Sequence, residues 1–87
     1  MHKKRYGKDL FETLIFVDSN PKCKLKDVVE GIGSNYHTAY NRLGDLITMG
    51  LVERDYTKRA RNTSSYSTTD KGHVASQHAS AIMGLIG

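Results

Sequence analysis

The chain has 87 residues, enough for one domain and no more. With 38% hydrophobic and 25% charged residues, it has the composition of a folded domain and not of a disordered segment. Lysine and arginine number 13 against 9 acidic residues, a net charge of +4, and the single cysteine, Cys23, excludes an intrachain disulfide and a cysteine-rich zinc site.

The cations gather in three places: Lys3, Lys4, Arg5 and Lys8; then Lys22, Lys24 and Lys26; then Lys58, Arg59 and Arg61. The acidic residues are scattered singly between them. A basic domain of this kind attracts polyanions, of which nucleic acid is the commonest large one. No apolar run follows Met1–Arg5 as a signal peptide requires, and Leu14–Val17 is far too short to span a membrane. The expected location is the cytoplasm, in association with the nucleoid, or the host cytoplasm for a viral chain.

In chain order, residues 1–8 form a basic arm. Asp9–Asp18 has the periodicity of a helix, with Leu10, Phe11, Leu14, Ile15 and Val17 recurring at spacings of three and four. It stops at Ser19-Asn20-Pro21, because proline disfavours helix in the residue before it. Lys22–Lys24 reads as a short extended piece, with Cys23 half-buried and structural. Leu25–Ile32 is a second, short helix with Leu25, Val28, Val29 and Ile32 on one stripe. Gly31 and Gly33 are expected to end it.

Asn35–Met49 reads as a third helix. Ser34 or Asn35 caps it, and Ala39, Leu43, Leu46 and Ile47 form its buried stripe. Gly50 terminates it. Leu51–Tyr56 and Ser64–Thr69 suit two strands, joined by the polar, basic hairpin loop Thr57–Thr63. Thr69 or Asp70 caps a last helix, Lys71–Leu85, with apolar positions Val74, Ala75, His78 or Ala79, Ile82, Met83 and Leu85. The fold class is α+β and mostly helical. It is a single domain over 1–87, with a three-helix core, a two-stranded wing and a C-terminal helix over 70–87.

Only Gly33 and Ser34 separate the second and third helices, which is helix-turn-helix spacing. Here the sequence resembles a known superfamily. Gly33-Ser34-Asn35-Tyr36-His37-Thr38-Ala39-Tyr40-Asn41-Arg42-Leu43-Gly44-Asp45-Leu46-Ile47-Thr48-Met49-Gly50-Leu51-Val52 resembles the recognition-helix signature of winged-helix regulators of the MarR, PadR and ArsR kinds. Tyr66-Ser67-Thr68-Thr69-Asp70-Lys71-Gly72 is similar to their second wing strand, with Ser67 or Thr68 where those proteins carry leucine. The resemblance covers about residues 9–80. It implies a small transcriptional regulator whose third helix enters the major groove.

With Ala39, Leu43 and Leu46 inward, a helical wheel puts His37, Asn41, Gly44 and Thr48 outward, flanked by Tyr36, Tyr40 and Arg42. His37, Tyr40 and Asn41 are the leading groove contacts. Asn41 can pair with adenine, and Arg42 with guanine or a phosphate. Tyr36 either joins them or packs in the core, and Tyr40 either joins them or packs on the wing. Ser34 and Thr38 are placed to donate to phosphate beside the helix N-terminus. Lys58, Arg59 and Arg61 at the wing tip suit the DNA backbone or minor groove.

Dimerisation is expected through the last helix and the first, using Leu10, Leu14, Val74, His78, Ile82, Met83, Leu85 and Ile86, because so small a domain has little core of its own to cover. A last helix that merely covers that core is the plainer alternative. Two recognition helices one DNA turn apart then read a palindrome-like site.

The expected function is therefore a sequence-specific double-stranded-DNA-binding transcriptional regulator, a repressor, acting as a homodimer with helix 35–49 in the major groove. The competing reading is a winged-helix protein–protein interaction module inside a larger transcription or replication assembly. An enzyme is not expected. There is no phosphate loop and no nucleophile with base and orienter, and Asp18 and Ser19 stand beside a turn unaccompanied. No cofactor or metal is expected either, since His73 and His78 are five apart, a poor helical ligand spacing. The sequence names no effector, and one would have to bind at the dimer interface.

Overall fold

The computed structural model describes residues 6–56 and 64–86. Helix α1 spans Tyr6–Ser19, α2 Leu25–Ile32 and α3 Tyr36–Thr48. Strands β1 (Val52–Tyr56) and β2 (Ser64–Thr68) follow, then helix α4 over Asp70–Ile86. The strands pair antiparallel, with Val52 opposite Thr68 and Tyr56 opposite Ser64. Cys23 adds a bridge to Tyr66 on the free side of β2, so the extended piece expected around Lys22–Lys24 is a minimal third strand. Lys22 just before it takes a left-handed φ of 64°, and its amide donates to Ser67 Oγ.

The element boundaries follow from local chemistry. α1 starts three residues before the expected Asp9, so Tyr6–Lys8 belong to the helix and not to a basic arm. Residues 1–5 lie outside the described residues. α2 ends at Gly33, whose φ of 66° is the left-handed cap that glycine adopts without penalty. Gly31 does not end the helix. It lies inside it, where an added Cβ would collide with the Phe16 ring, so its lack of a side chain is what lets α1 lie close to α2. At the start of α3 the Asn35 side chain accepts from the Thr38 amide at 2.8 Å. At the start of α4 the capping residue is Thr69, whose hydroxyl accepts from the Gly72 amide at 3.0 Å.

The core gathers Leu14, Val17, Val28, Ala39, Leu43, Leu46, Leu51, Val52 and Tyr66. α1 runs through the middle, packing against α2, α3 and α4. One expectation about this core needs correction. Leu14, assigned to a dimer interface, is only 2% exposed in the single chain. It packs in the central cluster because it lies on the inward side of α1 with Val17. The buried side of α4 is formed by Gly72, Ser76 and Ala79, with Val74 half exposed. Small residues let α4 approach α1 closely, and Val74, Ile82 and Leu85 are left outside. Cys23 is buried, as a structural residue should be, and burial, aided by the nearby Asp27 charge, pushes its thiol up to about 11.

The base of the wing is fastened by backbone. The Leu51 amide donates to Leu46 O at the end of α3, and the Leu51 carbonyl accepts from the Thr69 amide. The Thr69 hydroxyl donates to Gly50 O at 2.8 Å. Gly50 turns the chain with φ 78°. Gly72 lies directly on the Leu51 carbonyl, and a Cβ there would overlap it. Asp18 at the end of α1 ties the same region from below. Its carboxylate accepts from Thr68 Oγ1 at 2.9 Å and from His73 Nδ1 at 2.9 Å. Burial alone would raise the Asp18 pKa, but these donors and the His73 charge outweigh it and hold the group below the ordinary aspartate value.

Two outcomes follow. Gly72→Ala should lower the unfolding free energy by about 2–3 kcal/mol in urea denaturation, since the obstructing atoms are backbone and cannot move aside. The depressed Asp18 pKa makes stability that is fully present above the unfolded value of about 3.9 and is lost as pH falls through the lower folded value. Acid titration followed by circular dichroism should show this loss, and Asp18→Asn should flatten it while costing about 2 kcal/mol at pH 7.

Candidate nucleic-acid interface

α2 and α3 are joined by Gly33, Ser34 and Asn35 alone, so the orientation of α3 is fixed at its start by the left-handed glycine and the Asn35 cap. Inside, Ala39, Leu43 and Leu46 are almost fully buried. That commitment turns the opposite side of α3 to solvent. His37, Asn41, Gly44 and Thr48 are all exposed there. Together with Thr38, Tyr40, Arg42 and Asp45 they line a shallow polar hollow of about 560 Å³.

The structure places both tyrosines outside the core. Tyr36 and Tyr40 are 56% and 53% exposed, so neither is a core residue. Ser34 and Thr38 are partly exposed beside the start of α3. Gly44 has open space where a Cβ would stand, leaving a gap in the middle of the exposed face. Arg42 departs from expectation. Its side chain is 17% exposed and its guanidinium holds Asp45 at 3.1 Å, an i, i+3 pair on the same helix. It is laid along α3 and lines the hollow together with Asp45. Lys58, Arg59 and Arg61 lie outside the described residues.

Two contacts here were not legible in the sequence. Asn41 Nδ2 and His37 Nε2 are 3.2 Å apart, one helical turn from each other. The i, i+4 spacing was available as a signal, but an Asn–His pair carries no strong propensity to betray it. The second is the set around Asp18, which brings residues 50 and 55 positions away to the carboxylate. Thr68 and His73 both donate to the same carboxylate, an arrangement that ties β2 and α4 to the end of α1. Among the described residues no group of three His, Cys, Asp or Glu side chains could hold a metal ion.

Away from α3, an apolar groove of about 300 Å³ runs between α1, α4 and the α3–β1 turn. Leu10, Phe11, Met49, Ala75, His78 and Ile82 are among its walls, and Leu14 reaches only its floor. Along α4, Ile82 is 45% and Leu85 89% exposed. The side chains of Met83 and Ile86 lie outside the described residues.

Three helices, a two-stranded wing and a closing helix in this order have many counterparts among solved structures. FabT of Streptococcus pneumoniae, in a structure determined in complex with DNA, superimposes with a TM-score of 0.76 at 17% identity, covering 88% of this chain and 54% of that one. The chain has the winged-helix fold. BpsR of Bordetella bronchiseptica, from a study of how 6-hydroxynicotinic acid regulates its DNA binding, gives 0.83 at 18% identity over 90% of this chain and 59% of its own. The multiple antibiotic-resistance repressor (MarR) of Listeria monocytogenes gives 0.73 at 18% identity over 84% and 50%. The winged-helix chain thus spans 50–59% of the length of these three proteins. No family model and no curated protein sequence matches it.

Proposed function

We propose that this winged-helix protein is a sequence-specific double-stranded-DNA-binding transcriptional regulator. It acts as a repressor, in the cytoplasm and on the nucleoid. The observation that carries the proposal is the exposed face of α3. On a helix whose inner side is wholly committed to the core, His37, Tyr40 and Asn41 stand out in solvent next to a glycine gap, an array with no packing role. Groups that donate and accept, on a helix held by a tight turn, suit base edges in a major groove. The basic loop 57–63 supplies backbone or minor-groove contacts on either side. FabT and BpsR, which share the fold, are described as bound to DNA and as regulated in DNA binding.

The regulator binds as a homodimer. The support is the apolar groove between α1 and α4, continuous with the exposed Ile82 and Leu85. Large apolar groups left outside a small domain are covered most economically by a second copy.

Affinity for random duplex should fall steeply and linearly in log–log form as salt rises, because lysine and arginine contacts release counterions. Arg59→Ala should reduce that slope by about 1 and weaken all sequences alike. Absence of binding at low salt would sink the DNA reading. Sedimentation equilibrium should give twice the chain mass, and Ile82→Asp with Leu85→Asp should return the monomer with its circular dichroism unchanged. A wild-type monomer at all concentrations would exclude the dimer.

A further inference from the structure

We infer that Asn41 reads an adenine and that His37 is the residue that sets it for this task. The inference rests on the DNA-binding reading above and adds to it one base and one positioning residue.

The two side chains are both exposed and lie one helical turn apart, with Asn41 Nδ2 3.2 Å from His37 Nε2. An amide nitrogen can only donate, so the imidazole nitrogen facing it accepts, and the ring proton sits on Nδ1. The asparagine amide has two N–H groups. One of them, pointing back along the helix, is spent on His37. When the N–H anti to Oδ1 is the one that meets His37, the syn N–H stays free beside Oδ1. That edge therefore presents one donor and one acceptor side by side.

Adenine presents the complementary pair in the major groove, N7 as acceptor and N6–H as donor. The second Nδ2–H donates to N7 while Oδ1 accepts from N6. Guanine offers two acceptors there, O6 and N7, and leaves Oδ1 facing one of them. The order of donor and acceptor along the edge depends on which way round the amide lies, since rotating it by a half turn exchanges oxygen and nitrogen. An acceptor at His37 draws the nitrogen toward the helix and so fixes that order. Without it the amide is free to turn, and the match to adenine is held only part of the time. The neighbours leave room for the contact: Gly44 presents open space, and Arg42 is occupied with Asp45.

The test is selection from a random duplex pool with the full-length chain, comparing wild type, Asn41→Ala, His37→Ala and His37→Gln. Both positions are exposed, so circular dichroism should show every variant folded. Wild type should yield a motif with adenine at one defined position per half-site. Asn41→Ala should erase that preference, and His37→Ala should reduce it about fivefold or more, within the range of one bidentate base contact. The salt slope, set by lysine and arginine contacts, should stay as it was. His37→Gln, which offers a carbonyl acceptor at the same turn, should restore the adenine preference.

An adenine preference that survives His37→Ala overturns the positioning role. A wild-type motif with no adenine position sensitive to Asn41→Ala overturns the assignment altogether. Both results require that wild type binds duplex. A wild type that fails to bind at low salt is recognised separately, and it removes the DNA reading together with this one.

Discussion

The structure turns on a short length of backbone at Leu51. Its amide closes the end of α3 on Leu46, and its carbonyl takes the Thr69 amide at the threshold of α4. The Thr69 hydroxyl reaches Gly50 on one side while capping the Gly72 amide on the other. Three elements meet at one peptide, and glycines on both sides permit the meeting. Gly50 accepts a left-handed turn, and Gly72 admits a carbonyl where any side chain would stand. A two-stranded ribbon has too few contacts to hold its own angle. Here that angle is dictated by α3 and α4 together.

From that junction the remaining constraints run inward. Leu51 and Val52 enter the core under the ribbon, and Tyr66 plugs it from the second strand. Cys23 then bonds Tyr66 in both directions through the backbone, which brings the start of α2 to the sheet. Asp18 draws the end of α1 to Thr68 and His73. Each tie joins parts distant in sequence, so the orientation of α3 relative to the wing is set by the whole domain.

The domain spends its large side chains unevenly. α1 carries the central ones, and α4 meets it with Gly72, Ser76 and Ala79. Close approach through small residues leaves Val74, Ile82 and Leu85 on the outside of α4. The exposed face of α3 carries His37, Asn41 and Thr48, whereas α4 exposes Val74, Ile82 and Leu85 among polar residues.

Much of the fold was legible in the chain itself. The Leu43/Leu46 stripe, the Gly33 and Gly50 stops and the alternation in the two strands are local signals, because helix period, glycine conformation and strand period act within a few residues. The outward placement of His37, Asn41 and Gly44 followed from the same helical period. Tertiary structure alone decided the rest. Gly31 marks a close approach of Phe16 and not a helix end, a distinction invisible without the partner ring. Leu14 went to the core, because which side of an apolar helix is covered depends on what packs against it. Asp18 gained partners from β2 and α4, and Arg42 turned to Asp45. Periodicity names the face of a helix from within the helix, whereas the neighbour that meets that face comes from elsewhere in the chain.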